Sequence, residues 1–503
     1  MNAAVIAPQP APSSAVAAFL KRPPRLLIGG EWVDSKSQQR IPVIDPATGK
    51  EIASLIDADR NDVERAVKAA RKAFESGPWP DMLPSQRQDL LLKLADLIDR
   101  NAAELAELES IDNGKTRFMA GLIDVPGTRD HFRYMAGWAT KIEGSTIDTS
   151  IGGPPGTKFH AYVRREPVGV CAQIVPWNFP LAMAAWKLSP ALATGCTCIL
   201  KPAEQTSLTA LRLGELILEA GFPPGVVNIL TGLGETSGAA LVSHADVDKV
   251  AFTGSTAVGK LINKSATDTL KRVSLELGGK SPVIVLPDAD ISTVVGGAAQ
   301  AIFFNSGQVC TAGSRLYVHR KLFDRVVEGV VMAANSMKLG PGLDPSTQMG
   351  PLVSSEQQQR VMQYIESGRS QGASVLAGGE TPSHPGYFVK PTVLANVRPE
   401  MTVVREEIFG PVLVAQRFDD VDEIAAVAND TPYGLSASIW SNDLRAVHRL
   451  IPKLRAGTVW VNCHNMVDPN MPFGGFKQSG HGREHCRAVI DMYTELKSVC
   501  MTI

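Results

Sequence analysis

Cys310 stands in a polar, glycine-flanked turn, Phe303-Phe304-Asn305-Ser306-Gly307-Gln308-Val309-Cys310-Thr311-Ala312-Gly313-Ser314-Arg315, which interrupts an apolar, helix-like run. That placement suits a nucleophile. The thiolate is the reactive form, and exposed amide groups near a helix start would lower the pKa of Cys310. A buried packing cysteine is the competing reading. Glu276 is a lone acid between leucines in Leu275-Glu276-Leu277-Gly278-Gly279-Lys280, on a strand-like run that ends in glycines. Burial there raises a carboxyl toward the range of a general base, with a salt-bridged structural Glu as the equal alternative. Asn178, in Pro176-Trp177-Asn178-Phe179-Pro180, also ends a strand-like run and offers an amide donor for an oxyanion, unless it only supports a turn.

Two glycine loops could hold phosphate. Phe252-Thr253-Gly254-Ser255-Thr256-Ala257-Val258-Gly259-Lys260 runs from a strand into a helix, where backbone N–H groups favour anions and glycines permit close approach. Its spacing nearly fits GxxxxGK[ST], but Leu261 occupies the position of the Mg²⁺-binding hydroxyl, which counts against a nucleotide hydrolase. Gly232-Leu233-Gly234-Glu235-Thr236-Ser237-Gly238 approaches GxGxxG and misses it; either loop alone also reads as a tight turn. Lys201-Pro202-Ala203-Glu204 ends a strand where open α/β sheets bind ligands, and could grip ribose hydroxyls or be a solvated loop.

The elements that must position these residues follow from periodicity. Asn61 is expected to cap a helix with Val63, Ala66, Val67, Ala70 and Phe74 inward, and Ser85 a second with Leu90, Leu91, Leu94 and Ile98 inward. From Val168 onward, strands at 170–175, 198–200, 226–230 and 250–252 alternate with helices from about Leu181 and over 208–220. This predicts parallel βαβ units in a doubly wound, nucleotide-binding sheet. A second α/β series opens at Val283-Ile284-Val285-Leu286, passes through a helix over 322–337, and ends in the strand 458–461. Between the helices and the first series, Ile151-Gly152-Gly153-Pro154-Pro155-Gly156 and the strand-like 159–163 predict a hairpin arm.

The 503 residues suffice for about three domains at roughly 150 each. Apolar residues at 44% and charged residues at 20% exclude disorder over most of the length. Fifty basic against 51 acidic residues leave a net charge of -1, so no global field draws the chain to nucleic acid or an anionic membrane. No apolar run reaches the roughly 18–20 residues of a membrane span; the one after Pro180 meets Lys187. Met1 to Ser14, rich in Ala and Pro with no Lys or Arg, reads as a flexible tail and not a secretory signal. Seven cysteines, an odd number widely spread, argue against a disulfide framework and for a reducing, cytoplasmic location. Cys196 and Cys198 lie in a strand-like run, no CxxC pair or nearby His suggests a metal site, and the cysteines other than Cys310 read as packing residues.

Taken together, these motifs resemble the aldehyde dehydrogenase superfamily from about Leu27 to the C-terminus. The segments Gly-Gln-x-Cys, Leu-Glu-Leu-Gly-Gly-Lys, Pro-Trp-Asn-Phe-Pro and Glu-Glu-Ile-Phe-Gly-Pro place that family's functional residues at Cys310, Glu276, Asn178 and Glu407. The block from Pro472 through Gly474-Gly475-Phe476-Lys477 to Gly482-Arg483-Glu484 matches as well. The resemblance implies an α/β fold with a Rossmann-type NAD domain (21–148 and 168–278), a catalytic domain (279–480), β-hairpin oligomerisation elements (149–167 and 488–503) and a flexible tail over 1–20. It also implies a homo-oligomer, dimer or tetramer, acting on a small-molecule aldehyde.

Under the same resemblance NAD lies along Ile174, Val175, Pro176, Trp177, Phe252, Thr253, Gly254, Ser255, Gly259, Leu277 and Gly278. Its pyrophosphate lies near Ser255, Lys201 and Glu204 hold its adenine ribose, Glu407 orients its nicotinamide ribose, and Gly234 and Phe409 also bind the cofactor. Glu204 would favour NAD over NADP by repelling a 2′-phosphate. Cys310 would attack the aldehyde, with Asn178 and the Cys310 N–H holding the oxyanion and Glu276 activating the hydrolytic water; Lys187 and Glu484 would relay its proton. Phe179, Met183, Trp186, Phe304, Val309, Met466, Val467 and Phe473 would line the substrate tunnel, whose aromatic and thioether walls fit an apolar or aromatic aldehyde. The loop Val461-Asn462-Cys463-His464-Asn465-Met466-Val467-Asp468-Pro469-Asn470-Met471-Pro472-Phe473 is similar to that of bacterial phenylacetaldehyde dehydrogenases, as is the terminal Glu495-Leu496-Lys497-Ser498-Val499-Cys500. Val309 departs from relatives with a second Cys beside the nucleophile. The alternatives are a broad-specificity aliphatic or semialdehyde dehydrogenase and a non-catalytic homologue, the latter disfavoured by the intact Cys310, Glu276 and Asn178 set.

Overall fold

The structure, a computed structural model, describes residues 6–503. Strands Val170–Ile174, Thr197–Lys201 and Lys249–Thr253 are buried at every residue, as strands covered by helices on both faces must be. They form the centre of an eight-stranded sheet. Val170–Ile174 lies in the middle, Thr197–Lys201 and Val227–Ile229 follow to one side, and Lys249–Thr253 and Arg272–Glu276 to the other, all parallel. The order therefore reverses between Val170–Ile174 and Lys249–Thr253, which opens a crevice beyond their carboxyl ends. Two antiparallel strands, Leu26–Ile28 and Glu31–Val33, close one edge. The other edge is closed by Gly480–His481 from the far end of the chain, which the expected division had not assigned to this sheet.

A second, seven-stranded sheet runs in the order Ser374–Ala377, Thr392–Ala395, Val412–Phe418, Arg315–His319, Pro282–Val285, Ser436–Trp440, Thr458–Val461, parallel except at its first strand. A three-stranded antiparallel sheet pairs Phe159–Pro167 with Ser145–Ile147 and, over its whole length, with Thr494–Thr502. This is the expected hairpin arm.

Three local expectations are corrected. The helix Arg60–Glu75 is capped by Asp59, not Asn61; Asp59 accepts the N–H of Asp62, and the Asp62 carboxylate accepts the N–H of Asp59 in return. Ser85 lies inside Pro84–Arg100, where Pro84 takes a first-turn position that needs no N–H. Residues 14–20, expected in the flexible tail, form the helix Ser14–Leu20: Ser13 caps it, and Val16 and Phe19, three residues apart, bury against Val43, Leu55 and Leu108. Residues 1–5 of that tail lie outside the described residues.

One helical run bears on the site. Arg117–Met119 and Val125–Ala139 are joined by a π-helical turn, Ala120–Asp124, directly before Pro126. Proline lacks the N–H and crowds the preceding turn, and the wider π turn absorbs the mismatch.

Candidate active site

The carboxyl ends of the first sheet face the loop that leads into Arg315–His319 of the second. Between them lies a cavity of about 460 Å³ lined by Asn178, Glu276 and Cys310 together. Strand Val170–Ile174 delivers Pro176, Trp177 and Asn178; Lys249–Thr253 delivers Thr253, Gly254 and Ser255; Arg272–Glu276 ends at Glu276 itself.

The Cys310 turn is held by its backbone. Helix Ile291–Phe303 ends, Asn305 and Ser306 take φ of 48° and 56°, and Gly307 follows at 71°. A Cβ on Gly307 would stand 2.1 Å from the Gly410 carbonyl oxygen, so only glycine passes here. The Gln308 side chain accepts the Val353 N–H at 3.0 Å, and Ala312 N–H to Val309 oxygen at 3.0 Å closes the turn over Cys310 and Thr311. Asn178 Nδ2 donates to the Gln308 carbonyl at 2.9 Å, which leaves its second N–H for another acceptor. Asn113 in turn donates to the Trp177 carbonyl at 2.7 Å. On the far side His464 holds the Thr311 carbonyl through Nε2 at 2.8 Å, and its Nδ1 faces the Ser438 hydroxyl at 3.0 Å. Thr311 Oγ1 donates to Asn465 Oδ1 at 2.7 Å.

The expected activation of Cys310 by a helix start is corrected. The turn follows a helix end, and burial pushes the thiol well above its ordinary value, with Glu276 and Glu407 adding to the rise; the amides of Thr311 and Cys310 only partly oppose it. Cys310 lines the cavity and is half-buried. Glu276 is 3% exposed, its Oε1 has no partner, and burial raises its carboxyl far above the usual range; Lys187 opposes and Glu484 reinforces that rise. Lys187 and Glu484 are ion-paired in the core behind it and do not line the cavity. Glu407 accepts the Gly279 N–H at 2.8 Å, and burial lifts its carboxyl to about 7.

Pro176, Trp177, Thr253, Gly254, Ser255, Leu277, Gly278, Glu407 and Phe409 all line this cavity. Ser255 caps helix Thr256–Ala266 by accepting the Val258 N–H, and Gly259 lets Leu277 approach, since a Cβ there would fall 2.5 Å from the Leu277 side chain. Ile174, Val175 and Phe252 are buried behind the wall. Lys201 and Glu204 lie farther along the sheet edge, 3.2 Å apart, with the π-helical turn Gly234–Gly238 packed against the lysine.

Of the expected tunnel residues, Phe179, Met183, Trp186, Phe304, Val309, Val467 and Phe473 line the cavity. Met466 does not. Asn465, at φ 59°, turns the chain so that its own side chain faces in, and Met466 is left 59% exposed. Gln357, Arg360 and Asn465 were not anticipated, nor were Gly127, His131 and His485; the first two come from helix Ser355–Ser370 and Gly127 and His131 from Val125–Ala139, far from any motif. A smaller cavity of about 150 Å³, reached past Phe179 and Phe304, lacks Cys310 and Glu276. All seven cysteines are free; Cys171, Cys196 and Cys198 are buried, but Cys500 is exposed and is not a packing residue. Among the described residues no helix is long and apolar enough to cross a membrane, and no cluster of His, Cys, Asp and Glu could hold a metal.

The aldehyde dehydrogenase family model matches residues 32–499. The phenylacetaldehyde dehydrogenase of Pseudomonas fluorescens is 51% identical over 482 residues, 95% of this chain and 96% of that protein. Aldehyde dehydrogenase 1A1 of Oryctolagus cuniculus is 50% identical over 481 residues, 95% of this chain and 96% of that protein. An NAD⁺ complex of aldehyde dehydrogenase from Bacillus cereus superposes with a TM-score of 0.96 at 50% identity, covering 98% of this chain and 99% of that one. The chain belongs to the aldehyde dehydrogenase family.

Proposed function

We propose that this protein oxidises an aromatic aldehyde of the phenylacetaldehyde type to its carboxylic acid, with NAD as the oxidant. The carrying observation is that Cys310, Glu276 and Asn178 line one cavity whose remaining wall is aromatic and aliphatic. The cofactor fits the same crevice. The reversal of strand order, the capped start of helix Thr256–Ala266 at Ser255 and the unpartnered, buried Thr253 Oγ1 suit a polar ligand lying along Trp177, Gly254 and Glu407. NAD supplies there an acceptor for the hydride that leaves the former carbonyl carbon.

The other steps belong to the chain. Cys310 sulfur bonds to the carbonyl carbon, its proton passing to a base, and the oxyanion accepts N–H bonds from Asn178 and the Cys310 backbone. After the hydride has left, a thioester joins Cys310 to the acyl group. Glu276 takes a proton from water as the water oxygen attacks; the C–S bond breaks, the acid departs, and the Lys187–Glu484 pair behind Glu276 receives the proton. Glu204, beside Lys201, accepts the adenosine ribose hydroxyls and disfavours a 2′-phosphate.

The aromatic substrate rests on Phe179, Trp186, Phe304 and Phe473. The similar identities of the Pseudomonas and rabbit relatives do not discriminate, so the wall chemistry carries the choice. Burying a phenyl group is worth about 1.5–3 kcal/mol, or roughly 10–100-fold. A panel of aldehydes assayed with NAD by NADH formation should show kcat/KM for phenylacetaldehyde above that for propanal and succinic semialdehyde by about that factor, with all turnover lost in Cys310→Ala. Equal or greater values for the aliphatic aldehydes would overturn the aromatic reading. Two open strand edges, at Ser145–Ile147 and Thr494–Thr502, suit pairing with further copies into a homo-oligomer, and a monomer by light scattering would refute it.

A further inference from the structure

The apolar wall of the cavity is broken at one place by two imidazoles. His131, on helix Val125–Ala139, and His485, held at φ 65°, each line the cavity at 1% exposure, with ring centroids 4.6 Å apart. Trp186 packs against both, its ring centroid 4.0 Å from that of His485 and 6.0 Å from that of His131. His131 Nε2 has no hydrogen-bond partner, and the ring nitrogens of His485 make no well-aligned hydrogen bond, although the Asp468 and Met471 backbones lie near enough to favour its charged form weakly. Leaving such groups buried and unpaired is costly, and a core built only to hold an apolar ring would use carbon there.

Neither ring is a cation. Burial lowers His485 to about 3 and His131 well below its ordinary value, with Lys187 adding to the fall of His485 and His485 to that of His131. The pair therefore offers neutral donors and acceptors and gives no advantage to a carboxylate or phosphate tail. A cationic tail finds no free anion on this wall either, since Asp124, which also lines the cavity, is bound to Lys115 at 2.7 Å. Space is provided beside the pair. Gly127 precedes His131 by about one helical turn, lines the same cavity, has no positive φ, and would place a Cβ with nothing within 4 Å.

We propose that His131 and His485 make this enzyme selective for an aromatic aldehyde whose ring carries a neutral hydrogen-bonding group, a hydroxyl or a ring N–H, which the two imidazoles engage. The inference rests on the reading that the aldehyde occupies this cavity with its carbonyl at Cys310. The two substituents to compare are a hydroxyl and a methyl of similar size. The wild-type protein with NAD should give kcat/KM for 4-hydroxyphenylacetaldehyde at least about 10-fold above that for 4-methylphenylacetaldehyde, one well-made buried hydrogen bond being worth about that ratio. The ratio should fall to about 1 in His131→Leu and shrink in His485→Asn, which tolerates the positive φ. Equal values for the hydroxyl and methyl compounds in the wild-type protein, with phenylacetaldehyde still oxidised, would overturn the assignment and leave the aromatic reading in place. Failure to oxidise any of the three aryl compounds while propanal is oxidised would overturn both. The wild-type comparison decides without either variant, and retention of the ratio in both folded variants would also overturn the roles of the histidines.

Discussion

Replacing Glu276 by Gln preserves the length and shape of the side chain and removes its ability to take a proton. The residue ends strand Arg272–Glu276, pairs with Gly480 across the sheet edge, and presents an unpartnered Oε1 beside Cys310 in the cavity wall. A positioned general base contributes about 10²–10⁴-fold, which is about 3–5 kcal/mol of barrier. If Glu276 acts on the hydrolytic water, the whole of that loss falls after hydride transfer. Rapid mixing of Glu276→Gln with NAD and phenylacetaldehyde should then give a burst of NADH stoichiometric with Cys310, followed by a steady state slowed by about 10²–10⁴-fold. The melting temperature should hardly move, because the carboxyl oxygen that is replaced had no partner to lose. A steady state at the wild-type rate would refute the base assignment. Loss of the burst as well would move the role of Glu276 to deprotonation of Cys310.

The remaining predictions concern the cofactor, the nucleophile and the frame that holds it. Glu204→Ser should raise the NADP-to-NAD ratio of kcat/KM, and an unchanged ratio would remove Glu204 from cofactor selection. Glu276→Gln should speed alkylation of Cys310 by iodoacetamide at alkaline pH, where Glu276 would otherwise be ionised and raise the thiol; a slower reaction there would contradict that electrostatic picture. His464 is held at about 4 by burial against an unfolded value near 6.5, so the folded form resists protonation and stability is lost as the pH falls below about 6.5. Between pH 7.5 and 5 this amounts to about 2 kcal/mol, measurable by urea unfolding and absent in His464→Gln; the same pH dependence in the variant would refute the attribution.

The site was legible where its residues fall in contiguous motifs and illegible where they do not. Cys310, Glu276, Asn178 and Glu407 each sit where a strand or helix ends in a glycine- or proline-marked turn, and that local punctuation is visible in a string of residues. The parallel, doubly wound character of the first sheet also followed, since short apolar runs alternating with helices admit few topologies. His131, His485, Gln357 and Asn465 carried no such mark: each reaches the cavity from an element whose facing was settled by packing, and Asn465 displaced Met466 through a single left-handed residue. The helix Ser14–Leu20 was hidden for a different reason, because an alanine- and proline-rich composition outweighed two apolar residues three apart.

The state of Cys310 could not be read from its neighbours in the chain at all. Glycines and a polar turn suggested a thiol acidified by amides, whereas burial does most to raise it and the two carboxyls that add to the rise come from residues 34 positions before it and 97 after it. Cys310 and Glu276 border the same cavity, burial raises each, and a charged Glu276 raises Cys310 further, so the site resists holding both as anions. A thiolate at Cys310 is therefore favoured when Glu276 carries the proton, and under the proposed roles Glu276 would act as base to water after acylation has neutralised the sulfur. In the proposed mechanism this gives an order of events: Glu276 holds its proton while sulfur attacks, passes it to the Lys187–Glu484 pair behind it, and then accepts a proton from the hydrolytic water once the acyl group is on Cys310.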